Sequence, residues 1–123
     1  VSYASLMPSV NQIEISPWLQ RSALRAAISG IGAVPMAYSP LARGHKVEDP
    51  ELGKIAKSLG CTPAQAAIKW CIDSGSITIP KSSNPSRIEE NLGALELDLS
   101  GTEAAFASLE ESYVSGWDPT SEK

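Results

Sequence analysis

The sequence predicts an α/β fold in which three parallel strands alternate with helices. Two observations carry that prediction: three short runs rich in β-branched residues, and helix-start signals that follow them along the chain.

The first strand is expected over residues 9–15, where Val10, Ile13 and Ile15 supply β-branched bulk. A helix from Gln20 to Ser29 follows, stopped by Gly30 and Gly32. The second strand is expected over residues 33–38, although Pro35 counts against it by local rules. Asp49-Pro50 sets a capping carboxylate before a proline at the first helical position, and Gly60 closes that helix. Its Leu52, Ile55, Ala56 and Leu59 recur at spacings of three and four and form one apolar stripe. Thr62-Pro63 repeats the start signal, with Ala66, Ala67, Trp70 and Cys71 on the buried face. The third strand is expected over residues 76–80, between Gly75 and Pro80. Asn84-Pro85 opens a helix through Ile88 and Leu92. Ser100-Gly101-Thr102-Glu103 has the spacing of a capping box and opens the last helix, through Phe106 and Leu109. The polar tail, residues 116–123, is expected to be loose.

The 123 residues suffice for one domain, and 42% hydrophobic with 20% charged residues is the balance of a globular protein. A net charge of −4 and the lack of any basic run argue against nucleic acid or anionic lipid as partner. No apolar stretch approaches the roughly 20 residues of a membrane span. Cys61 and Cys71 suit a reducing compartment, so a cytoplasmic location is expected. Three strands with helices on one side leave one sheet face and two edges uncovered. The sequence therefore reads as part of a larger fold, or as a piece that pairs with another.

Three motifs carry a resemblance. Val10-Asn11-Gln12-Ile13-Glu14 with Ser16-Pro17-Trp18 is similar to the sixth barrel strand of the aldo-keto reductases. Ala37-Tyr38-Ser39-Pro40-Leu41-Ala42-Arg43-Gly44 resembles the end of that family's seventh strand and its loop. Ile79-Pro80-Lys81-Ser82, then Arg87-Ile88-Glu89-Glu90-Asn91, resembles the eighth strand, loop and helix. The match implies the C-terminal portion of a single (β/α)8 TIM barrel spanning residues 1–123, with the catalytic N-terminal half absent. Two departures stand out. Ser16 replaces the family's usual histidine, and no role is carried to Ser2, because the helix expected before the first strand has no room.

Sites in such barrels lie at the C-terminal ends of the strands, with phosphate favoured after strands seven and eight. Asn84-Pro85 begins a helix, and Lys81 and Arg87 bracket that start. Standing alone they would read as solvated surface charges. Together with free backbone N–H groups they suit a doubly charged phosphate monoester. The resemblance implies that this anion is the 2′-phosphate of NADP(H), aided by Ser82, Ser83 and Asn84, with Glu90 and Asn91 at the adenine. It implies that Gln12 hydrogen-bonds the nicotinamide carboxamide and that Tyr38 stacks on the ring. Ser39, Leu41 and Arg43 would line the pyrophosphate path.

The remaining candidates read as structure. His45 is a lone loop histidine, so neither a metal site nor base catalysis is expected. Cys71 reads as buried and inert, and Glu96 and Asp98 form no catalytic pair. Trp117-Asp118-Pro119 resembles the family's C-terminal tail. The family reduces carbonyls with NADPH through an aspartate, a tyrosine, a lysine and a histidine from earlier strands, and no residue here, Tyr3 and Tyr113 included, replaces that tetrad. No catalytic residue is therefore assigned. The expected function is the cofactor-binding part of a reductase for small aldehydes or ketones, with the chain alone inactive and holding NADPH weakly or not at all. The alternative is an inactive binding module that assembles with the missing N-terminal half or another copy of the chain. Independent flavodoxin-like nucleotide binding is excluded, since no Gly-rich strand-to-helix turn is present.

Overall fold

A computed structural model of the chain describes residues 4–121. Val1, Ser2 and Tyr3, on which the departure at Ser2 and the reading of Tyr3 fall, lie outside the described residues, as do Glu122 and Lys123. The element order is β1 (Val10–Glu14), α1 (Ser22–Gly30), β2 (Val34–Tyr38), α2 (Pro50–Leu59), α3 (Pro63–Asp73), β3 (Ile77–Thr78), α4 (Pro85–Leu92) and α5 (Glu103–Ala107). Single 3-10 turns at Ala42–Gly44 and Gly93–Glu96 follow β2 and α4.

The sheet is three-stranded and wholly parallel, in the order β1-β2-β3. Val10 pairs with Val34 and Glu14 with Tyr38, while Met36 and Ala37 pair with Ile77 and Thr78. Pro35 survives in this central strand for a reason of register. Val34 donates its N–H to Ser9 on the β1 side, so the proline's missing donor falls on the β3 side. There β3 begins only opposite Met36, and no ladder bond is lost.

The sheet and helices sandwich the core on one side only. Ile13, Ile15, Ala33 and Ala37 pack against Ile28 of α1 and Cys71 of α3. A second cluster joins Trp18 to Leu52, Ile55 and Ala56 of α2, Ala66 and Ala67 of α3, and Phe106 of α5. The expected stripe of α2 is thus the buried one. Strand alternation puts Val34, Met36 and Tyr38 on the opposite face, and Val34 stays 41% exposed, beside Val10 and Ile77. On the sheet face foreseen as uncovered from the strand count, Val10, Val34 and Ile77 are left exposed among the described residues.

Three of the four Pro-marked or boxed helix starts form as read. Asp49 caps α2 by accepting from Glu51 N and Leu52 N, and Gly60 takes the left-handed conformation that ends it. Thr62 forms a capping box with Gln65 at the head of α3. Asn84 caps α4 by accepting from Ser86 N. The box expected at Ser100 does not form: Ser100 donates its hydroxyl to Asp98 Oδ1, and α5 starts from Thr102 without a side-chain cap. Two residues before Ser100, the Asp98 carboxylate closes its own turn first. The third strand is shorter than residues 76–80, and the Ile88 and Leu92 side chains of α4 are exposed.

Candidate functional site: a cleft between the loops after the second and third strands

The parallel sheet sends the chain ends of β2 and β3 to the same edge, so the loops that follow them face each other. After β2 the backbone is held in an uncommon path. Ser39, Ala42 and Arg43 have φ of 49°, 47° and 56°, three non-glycine residues in the left-handed region. Hydrogen bonds from Ala42 N to Ser39 O and from Gly44 N to Leu41 O over-determine the turn. Ala42 is completely buried in the helical core, which anchors the strained segment from beneath.

After β3, Ser82 Oγ accepts from Asn84 N at 3.1 Å. Asn84 Oδ1 accepts from Ser86 N, and Pro85 has no N–H, so in the first turn of the helix Arg87 N is left without an acceptor among the described residues. Neither Lys81 nor Arg87 engages an ion pair or side-chain hydrogen bond among the described residues, and both are exposed.

Between these loops lies a cavity of about 660 Å³. It is lined by eight of the residues singled out in the sequence: Ser39, Leu41 and Arg43 from one loop, and Lys81, Ser82, Arg87, Glu90 and Asn91 from the other. Ser83 and Asn84 lie outside the lining, the latter spent on its cap. Gln12 and Tyr38 also lie outside it, on the open sheet face. Gln12 Nε2 rests against Met36 Sδ at 3.2 Å. Tyr38 is half-buried, and burial, then the nearby Glu14 carboxylate, pushes its phenol above the ordinary range.

Sequence reasoning missed several walls. Val47 and Glu48 come from the loop that leads into α2, and Ala64 from the first turn of α3. Only the start signal at Thr62-Pro63 hinted that a helix end sat there, and nothing local said which cavity it would border. The Glu90 carboxylate accepts from Thr62 Oγ1 at 2.6 Å, while Gln65 Nε2 donates to Glu90 O at 2.9 Å. The head of α3 therefore holds α4 from below.

The C-terminal segment crosses the same end of the sheet. Buried Glu14 accepts from Ser115 N at 3.0 Å and from the Ser115 hydroxyl, while its Oε2 has no partner among the described residues. Arg21 pairs with Asp118 at 2.8 Å. Gly116 lies under the Arg43 guanidinium, where an added Cβ would come within 2.5 Å of Nη2. His45 shares a hydrogen bond with Tyr113 through Nδ1 at 3.0 Å. Ser16 is fully buried in the Pro17-Trp18 turn, and its hydroxyl has no partner among the described residues.

A model of the aldo/keto reductase family matches residues 2–112. The chain belongs to the aldo/keto reductase family. A relative from Mycolicibacterium smegmatis, named as an aldo-keto reductase, is 41% identical across 97% of this chain and 44% of its own length. An aldo/keto reductase of Synechocystis is 37% identical across 94% of this chain and 40% of its own. The crystal structure of Gox0644 in its apo form aligns with a TM-score of 0.85 at 36% identity, over 96% of this chain and 44% of that one. A mutant of Gox0644 in complex with NADPH aligns with a TM-score of 0.87 at 35% identity, over 99% and 46%. This aldo/keto reductase chain thus spans less than half the length of these relatives. Its three β/α units correspond to part of their TIM barrel.

Proposed function

We propose that this chain forms the NADP(H)-binding wall of a reductase acting on small aldehydes or ketones. The observation that carries this reading is the cavity that gathers residues from both loops, with Lys81 and Arg87 unpaired at its rim. Two free cations on an open cleft suit an anion of more than one charge, and guanidinium can grip two phosphate oxygens at once. The Gox0644 complex, similar over nearly all of this chain, holds NADPH.

In this reading Lys81, Ser82 and Arg87 hold the 2′-phosphate, with Ser83 and Asn84 shaping the loop rather than lining the cavity. Ser39, Leu41 and Arg43 border the pyrophosphate, and Glu90 and Asn91 receive the adenine. Gln12 and Tyr38 stand on the open face of the sheet, where Gln12 offers both donor and acceptor to a carboxamide and Tyr38 a flat ring to the nicotinamide. When bound, the cofactor supplies a hydride for carbonyl reduction. The proton-donating group and the substrate pocket come from β/α units that cover the apolar face bearing Val10, Val34 and Ile77.

Adenosine 2′,5′-bisphosphate against adenosine 5′-monophosphate tests the reading, because in this reading the adenosine and its 2′-phosphate meet residues of this chain. Lys81→Ala and Arg87→Ala should each weaken the bisphosphate about tenfold, as loss of a charge-assisted hydrogen bond predicts, and leave the monophosphate nearly unchanged. Equal losses for both nucleotides would remove the 2′-phosphate assignment.

A further inference from the structure

The cavity lining is chemically mixed. Lys81 and Arg87 are cationic, whereas Glu90 and Asn91 present a carboxylate and a carboxamide. A carboxylate repels phosphate, so the part of the lining beside Glu90 suits a neutral group rich in N–H donors. Within the proposed function that group is the adenine, and the role of Glu90 as its acceptor rests on that reading.

The Glu90 side chain is not left to find its own orientation. Thr62 Oγ1 donates to Glu90 Oε1 at 2.6 Å, across 28 residues of chain. The same hydroxyl accepts from Gln65 N at 3.2 Å, so its proton is directed outward at Glu90. Gln65 closes the arrangement, with its Oε1 accepting from Thr62 N at 3.1 Å and its Nε2 donating to Glu90 O at 2.9 Å. Among the described residues no donor reaches Glu90 Oε2. One carboxylate oxygen is therefore pinned by the capping box of α3, and the other remains as a fixed acceptor on a residue that lines the cavity.

We propose that Thr62 is a positioning residue for base recognition: by holding Glu90 Oε1 it presents Oε2 to an exocyclic amine, and so selects a 6-amino purine over a 6-oxo purine. Adenine donates an N–H from that position. Hypoxanthine sets a carbonyl oxygen there, and two acceptors face each other. A site whose polar group is left unpaired rejects the wrong ligand far more strongly than a merely tight pocket does.

The test compares adenosine 2′,5′-bisphosphate with inosine 2′,5′-bisphosphate by titration calorimetry on the full chain and three variants, with thermal unfolding followed for each. The unsubstituted chain should prefer adenosine by tenfold or more. Thr62→Ser keeps the hydroxyl and should keep that preference. Thr62→Gly removes the donor to Glu90, and glycine is tolerated at a helix N-cap at a cost of a few tenths of a kcal/mol; it should melt close to the parent temperature with the preference reduced to threefold or less. Thr62→Val should lose both cap and preference. Retention of the full preference in Thr62→Gly, or equal binding of both nucleotides by the parent, would overturn the role of Thr62. In that case a persisting preference of the parent for bisphosphate over adenosine 5′-monophosphate leaves the phosphate site standing. Failure of the folded parent to bind either bisphosphate would overturn both readings together.

Discussion

Asp49 carries three hydrogen bonds on one carboxylate: Oδ1 accepts from Glu51 N and Leu52 N, and Oδ2 from Trp18 Nε1 at 3.1 Å. The side chain both starts α2 and ties it to the largest buried residue of the core. Asp49→Ala should lower stability by about 1–3 kcal/mol, since it removes a cap and strands the indole N–H. Denaturant unfolding would show this as a lower midpoint at unchanged slope, and Asp49→Asn should recover only the share due to the cap, since its amide NH2 cannot accept from the indole N–H. The two thiols offer a second check. Burial raises the Cys71 thiol far above its ordinary range, and raises the half-buried Cys61 as well. With a disulfide-exchange reagent at pH 8, Cys61 should react slowly and Cys71 only as the protein unfolds. Modification of Cys71 at the rate of Cys61 would contradict its place in the core.

At the scale of elements, the signals that held were those in which one residue serves its immediate neighbours. Asp49-Pro50, Thr62-Pro63 and Asn84-Pro85 each place a side-chain acceptor one residue before a proline, and each starts a helix. The signal at Ser100 failed because a nearer competitor, Asp98, took the same side chain. In α4, Ile88 and Leu92 lie one turn apart and border an open groove with Ile68, Ile72 and Leu95, and no element among the described residues covers it. Periodicity reports which face is apolar; it says nothing about what packs there. Pro35 shows the reverse case, where a local rule against a central strand gave way to a register in which its missing donor cost nothing.

At the scale of the molecule, the site was legible in its motifs and hidden in its assembly. The motif after β3 led to Lys81, Ser82, Arg87, Glu90 and Asn91, and these do share one cavity. Ala64, Val47 and Glu48 complete that cavity from segments with no chemical signature of their own. Thr62 reads in sequence as a helix cap and nothing more, and only the approach of α3 to α4 brings its hydroxyl to Glu90. Gln12 and Tyr38 stand apart from the cavity, on the uncovered face of the sheet, in keeping with a cofactor that runs from the loops toward the barrel axis. The three strands hold one wall, and in the proposed reading its anion-binding end is built from residues of this chain.

That end can be probed by itself. Backbone amide shifts of the isotopically labelled chain should be followed while adenosine 2′,5′-bisphosphate is added. An anion site between the two loops predicts saturable shifts clustered at Lys81, Ser82, Arg87 and Asn91, with little change in the distant groove between Arg25 and Phe106. No shift at the loop after β3, or a cluster centred elsewhere, would contradict it.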